Sequence, residues 1–243
     1  ASLFSDDKSY TYKFIDKNCT IMVANKINEA LGKNLIQKVD NKSISYRTVL
    51  YPYFEDHFWY KLGINIIFGK RVDAKAEQLF LPVELLNSLD KLRINGKPFV
   101  IEKNTIVKGQ DFKTTFSFFN SIYCIALVVL LIIVSNKNQV FLTYLFVLGL
   151  LGLFLSLVGF YSLHREVLWN YNVLLFNPIY LALPFFNLNW KKWSIAICGF
   201  LLLVYSIVMT TKPHLILMLP FIVSVAYILR KLVIKYQLLS SKK

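Results

Sequence analysis

Between Phe116 and Lys243 the chain carries a single carboxylate, Glu166, and ten Lys or Arg residues separated by apolar runs about twenty residues long. Runs of that length match the hydrocarbon thickness of a bilayer, so this half is confined to membrane-spanning architectures. The preceding residues 1–115 are different, with 18 Lys/Arg and 13 Asp/Glu. A polar domain (1–115) followed by a transmembrane domain (116–243) is the simplest partition. The excess of basic residues does not point to nucleic acid, because the C-terminal positive charges flank apolar spans, where they orient a membrane protein.

Five spans are expected. Phe116–Val134 has nineteen uncharged residues, and Val140–Leu163 offers Gly149, Gly152 and Ser156 for close helix contact. Val167–Phe186 is apolar overall but contains Asn170, Asn172, Asn177, Pro178 and Pro184. Trp193–Met209 and Pro213–Leu229 complete the set, with Pro220 inside the last. An odd number of crossings puts the termini on opposite sides. With the polar domain outside, the inner segments hold Lys137, Lys191, Lys192, Arg230, Lys231, Lys235, Lys242 and Lys243, against Arg165 and Lys212 in the outer loops. That asymmetry places residues 1–115 in an extracytoplasmic (periplasmic) position on the inner membrane. The chain opens at Ala1 without a Met, a basic n-region or an apolar h-region, so export of this domain implies a segment upstream.

In the polar half, Tyr10–Ile15 alternates as a half-buried strand does, and residues 20–31 place Val23, Ile27, Ala30 and Leu31 at helical spacing ahead of Gly32. Cys19 therefore falls at a helix N-terminus, where backbone N–H groups and the helix dipole favour a thiolate. The alternative is a buried packing cysteine. Cys124 and Cys198 lie in apolar spans, so no disulfide framework is visible. Ser43–Tyr53 contains a helix start and the pair Tyr46-Arg47, and Phe54–Phe68 is aromatic and apolar, either core or a surface dipping into the outer leaflet. Phe80-Leu81-Pro82 precedes a short helix over 83–91. Residues 93–109 read as a strand pair about Asn95-Gly96. Arg47 is expected to clamp Asp73. The three His residues, 57, 164 and 214, are scattered, and no metal cluster, phosphate loop or cofactor motif is present in the sequence. A thiol nucleophile needs a base within reach, and none of the three is its obvious partner by position.

The order of these segments resembles a known family. Tyr10-Thr-Tyr-Lys-Phe-Ile-Asp-Lys-Asn-Cys-Thr20, then Tyr46-Arg47, then Gly69-Lys-Arg-Val-Asp73 with Phe80-Leu-Pro82, are similar to the later part of the extracytoplasmic domain of Lnb-type lipoprotein N-acyltransferases. The likeness is to the Bacteroidetes-like members with a C-terminal membrane domain, whose signature His164-Arg-Glu-Val-Leu-Trp-Asn-Tyr-Asn-Val-Leu-Leu-Phe-Asn-Pro178 resembles. The resemblance implies an α+β domain, part of a papain-like thiol fold, followed by an all-α bundle of about five helices. It implies that Asn18-Cys19 carries the nucleophile, that a fatty acyl chain passes from the glyceryl lipid of a lipoprotein to an amine at the lipoprotein N-terminus, and that membrane lipid and the lipoprotein are the partners. The family's catalytic His is expected before Asn-Cys. Residues 1–18 contain none, so the base would come from an upstream segment or another chain.

On this reading Tyr46, Arg47 and Asp73 support the site, and His164, Glu166, Trp169, Asn170 and Asn172 form a polar rim at the outer mouth of the bundle. Asn170 and Asn177 share a helix face, with Asn177 also placed to satisfy backbone groups freed by Pro178. The asparagines as interhelical hydrogen-bond glue are the competing reading. Two other functions use the same features: a non-catalytic membrane subunit that binds lipoproteins or a larger envelope complex, and a membrane-anchored cysteine peptidase or amidase with water as acceptor. No cofactor, metal or nucleic acid enters any of the three.

Overall fold

In the computed structural model, residues 10–107 and 115–240 are described, with side chains as far as Tyr236. The first nine residues, positions 108 and 109 of the expected strand pair, and Lys242 and Lys243 lie outside the described residues. The backbone divides into two compact units that interleave along the chain. The first takes Ala1–Leu50, Val72–Lys113 and Leu163–Glu166; the second takes Tyr51–Arg71, Thr114–Ser162 and Val167–Lys243.

In the first unit, α1 (Cys19–Leu31) is delimited by its own end residues. The Asn18 side chain accepts the Ile21 N–H, and Gly32 at φ +65 closes the C-terminus in the left-handed region. The α1 face carrying Ala24 and Ile27 packs with Ile36, Leu79 and the apolar side of α4 (Pro82–Lys91). Pro82 starts α4 because its missing N–H costs nothing in the first turn. Glu84 accepts the Phe80 and Leu81 N–H groups and pairs with buried Lys38. The short α2 (Tyr46–Leu50) is held by Tyr46 N–H to Ala74 O, and by the Tyr46 hydroxyl accepting the Gln78 N–H.

Two expectations fail here. Tyr10–Ile15 is not a strand: Lys13 and Lys17 bridge each other across a tight turn, and the Ile15 N–H is taken by the Glu166 carboxylate instead of a neighbouring strand. The hairpin at Asn95-Gly96 forms, but only as β1 (Arg93–Ile94) and β2 (Lys97–Pro98), with one further bond from Phe99 N–H to Leu92 O at 3.0 Å.

The second unit contains α3 (Phe58–Ile67) and the apolar helices α5 (Ile122–Ser135), α6 (Asn138–Tyr161), α7 (Leu188–Met209) and α8 (Leu215–Ser240). The last three are long and apolar enough to cross a membrane. At ~1.5 Å per residue α5 reaches only about 21 Å. It starts at Ile122 instead of Phe116 because Phe118–Asn120 is a separate 3-10 turn, and Asn120 bonds to Phe58 N–H and Asp56 O.

The expected third span is not an α-helix. Residues 167–186 are 3-10 turns, including Tyr171–Leu174 and Pro178–Leu181. Asn170 and Asn177 accept the N–H two residues ahead, Asn172 and Ile179, which diverts the backbone from helical bonding. The passage nevertheless runs from one end of the bundle towards the other. Leu168 lies against Gly159, Phe176 and Pro178 against Gly152, and Leu181 against Gly149. The small residues of α6 therefore receive this irregular strip, not another helix. Leu175, Phe176 and Tyr180 are fully buried, and it is burial in protein that permits non-helical backbone at such depth.

The remaining registers agree with this course. Tyr205, near the end of α7, bonds Asn172, whereas Lys191, near its start, lies over the Tyr236 ring at the far end of α8. Tyr144 and Ser224 share a hydrogen bond, and Phe141 meets Tyr227, so α6 and α8 are antiparallel. One end of the bundle thus gathers Lys137, Lys191, Lys192 and the α8 charges Arg230, Lys231 and Lys235; Lys212 lies at the other.

Candidate functional site

Cys19 is the first residue of α1 and its thiol is exposed. Three bonds from one carboxamide fix the turn that presents it. Asn18 Oδ1 accepts the Ile21 N–H at 3.0 Å, while its Nδ2 donates to Phe14 O at 2.9 Å and Phe80 O at 2.7 Å. Asn18 is 4% exposed. Its role is to seat the helix start against the 10–18 turn and the strip before α4.

The segment His164–Glu166 joins the same unit from far along the chain. Glu166 is wholly buried; its Oε1 accepts the Ile15 N–H at 2.8 Å, and its Oε2 lies 3.7 Å from His164 Nδ1. That spacing makes an ion pair when the imidazole is protonated. Tyr12 stands beside this pair. Its ring meets the His164 ring edge-on at 6.2 Å between centroids. Burial, and then the negative charges of Cys19, Tyr10 and Glu166, push its hydroxyl pKa up. Tyr12, His164 and Glu166 thus gather within the unit that also holds Cys19, and Tyr12 is the residue that sequence reasoning missed. Its only signal was its place in the alternating segment.

The expected supporting residues sit deeper. Arg47 Nε donates to Asp73 Oδ1 at 2.6 Å, with Arg47 1% exposed. The pair ties α2 to the 3-10 turn Lys70–Asp73 and forms the expected clamp. Tyr46 is buried against Phe80, 5.2 Å between ring centroids. A polar cleft of about 450 Å³ opens beside α1, bordered by Asp16, Ile21, Asn25, Gln37, Lys42 and Gln78; Cys19 does not line it.

The other residues of the expected rim belong to the second unit, and most of them are not at a rim. Asn172 is fully buried: Nδ2 donates to Asn65 O and Ile66 O, and Oδ1 accepts the Tyr205 hydroxyl at 2.8 Å. Asn170 Nδ2 donates to Ile66 O and Ile67 O. Together they cap the carbonyls that end α3. Asn177 is buried and caps the turn Pro178–Leu181; with no helix here, it shares no helical face with Asn170. Trp169 alone is exposed, and its φ of +52 is a strained conformation for so bulky a residue. His214 is buried, with Nε2 3.2 Å from the Tyr171 hydroxyl.

No family model, no curated protein and no solved structure matches this chain.

Proposed function

We propose that the chain is a membrane-bound thiol acyltransferase acting on lipoproteins. The observation that carries the reading is the exposed Cys19 thiol, seated at a capped helix start in the same compact unit as the His164–Glu166 pair, on a chain with membrane-length apolar helices. The resemblance of Asn18-Cys19 and of the segment 164–178 to Lnb-type lipoprotein N-acyltransferases supplies the substrate class and the papain-like affiliation. Within residues 10–236, His164 is proposed as the base, oriented by Glu166.

The reaction has two halves. The Cys19 thiol yields its proton to His164, and the sulfur attacks the carbonyl carbon of a glycerol ester. The C–O bond breaks, the glycerol oxygen takes the proton, and a thioester remains on Sγ. The amine at the lipoprotein N-terminus then attacks that carbonyl, the C–S bond breaks, and the amine's proton restores the thiol. Asn18 and Glu166 position, and do not touch, the reacting atoms.

The proposed orientation puts the Lys137/Lys191/Lys192 end of the bundle in the cytoplasm and the Lys212 end outside. The long polar segment is excluded from the count because long domains translocate regardless of charge. Product analysis tests the chemistry. Incubation of the membrane-embedded chain with a diacylglyceryl lipoprotein should yield an amide-linked acyl chain, lost in Cys19→Ala and reduced at least ~100-fold in His164→Ala. A shortened peptide with no acylated amine would favour the peptidase reading instead, and no product a non-catalytic subunit.

A further inference from the structure

Helix α3 is built as no water-exposed helix needs to be. Its inner face, Phe58 and Leu62, belongs to the same apolar cluster as residues of α5–α8. Its outer face should then be polar, yet Lys61 is its sole charged residue, and that ammonium is drawn over the Tyr51 ring at 4.7 Å. What faces outward is Trp59, 49% exposed, Tyr60, 68% exposed, and Gly63, around which there is open space.

Both ends of α3 also take bonds from side-chain amides. A helix leaves N–H groups unpaired at its start and carbonyls unpaired at its end, and water normally serves both. Here Asn120 accepts the Phe58 N–H, while Asn170 and Asn172 donate to Asn65 O, Ile66 O and Ile67 O. The Trp59 indole donates to Phe119 O. Such closure is what a low-water setting demands. The capping residues flank α5 and begin the irregular passage, so α3 is continuous with one end of the apolar bundle. At that same end Phe119, Tyr123, Tyr161 and Trp169 are exposed. Amphipathic aromatic rings at the end of membrane-length helices are the pattern of a bilayer interface.

We infer that α3 is an interfacial helix, lying in the headgroup region of the leaflet at the Lys212 end of the bundle, with Trp59 and Tyr60 in contact with phospholipid. The partner is the lipid surface that the bundle itself meets. The inference is independent of the chemistry proposed for Cys19.

The test uses the full chain in nanodiscs of phosphatidylcholine and phosphatidylglycerol. A variant keeping only Trp59 (Trp169→Phe, Trp190→Phe, Trp193→Phe) should be quenched more by lipid brominated near the glycerol end of the acyl chain than by lipid brominated near the methyl end. Aqueous iodide should quench it several-fold less than free tryptophan. A second variant guards against misfolding: Gly63→Cys, with Cys19→Ser and Cys124→Ala, carrying a nitroxide label. Its collisions with dissolved oxygen should exceed those with a water-soluble nickel chelate. Iodide quenching equal to that of free tryptophan, or a nitroxide relaxed mainly by the nickel chelate, overturns the inference.

Discussion

The closest approach in the transmembrane unit is at Gly152 of α6, where an added Cβ would lie 1.5 Å from Phe176 O and 2.5 Å from Phe176 C. Ordinary van der Waals contact begins near 3.4 Å, so Gly152→Ala forces the irregular passage away from α6 by nearly 2 Å. The carbonyl belongs to backbone fixed by Phe176 N–H to Asn172 O at 2.8 Å and by the wholly buried Phe176 ring, so it yields only with its surroundings. Overpacking of this kind costs about 3 kcal/mol or more. Against it stands the ~1 kcal/mol by which Ala exceeds Gly in a helix interior. Gly199→Ala in α7 isolates that second effect, since nothing lies within 4 Å of its Cβ position. Reversible unfolding by SDS in mixed micelles should therefore show Gly152→Ala less stable by roughly 2–3 kcal/mol and Gly199→Ala unchanged or slightly more stable. Equal stability of the two variants would mean that the passage is not pressed into α6, and the account of residues 167–186 would fall.

Arg47→Ala removes a buried cationic partner of the Asp73 carboxylate and should destabilise the first unit by about 3 kcal/mol, whereas Lys103→Ala, which removes an exposed partner of Asp90, should cost under ~1 kcal/mol; chemical denaturation of both variants checks the contrast. Tyr12 ionises above the ordinary tyrosine value, chiefly through burial and next through Cys19, so the folded state favours the neutral phenol. Its contribution to stability is present below about pH 10 and is lost as pH rises through the raised pKa. In ¹³Cζ-tyrosine NMR, Cys19→Ala should bring the Tyr12 midpoint down without reaching the ordinary value, and an unmoved midpoint would place the thiol away from Tyr12. In intact cells, with Cys19→Ser as background, an impermeant maleimide should label Thr211→Cys and spare Asn189→Cys; the reverse pattern would invert the orientation.

Local chemistry made part of this fold readable in advance. Asn18 and Gly32 bracket α1 as their side-chain and backbone properties require, Pro82 opens α4, and the long apolar runs of α6–α8 are helices, with serines within them bonding back to carbonyls of the preceding turn. The pairing of Arg47 with Asp73 was expected as a structural clamp and forms as one. Residues 167–186 misled for a definite reason. Hydropathy counts their Leu, Val and Phe, but three asparagines and two prolines redirect the backbone, and burial against Gly149 and Gly152 makes that tolerable. Neither fact is visible in a window average. Tyr10–Ile15 alternates without pairing because the Ile15 N–H is claimed by Glu166, 151 residues away. The same distant bond brings His164 into the unit of Cys19, which no local pattern could anticipate.

In the proposed mechanism Cys19 carries the acyl chain. Intact-mass analysis of the membrane-embedded chain, quenched during incubation with a diacylglyceryl lipoprotein, measures it directly. The account predicts an added mass of one fatty acyl group, removed by neutral hydroxylamine, mapped to the peptide containing Cys19 and absent from Cys19→Ala. N-acylated product formed by Cys19→Ala, or formed by the unmodified chain without any acyl adduct on Cys19, would contradict it.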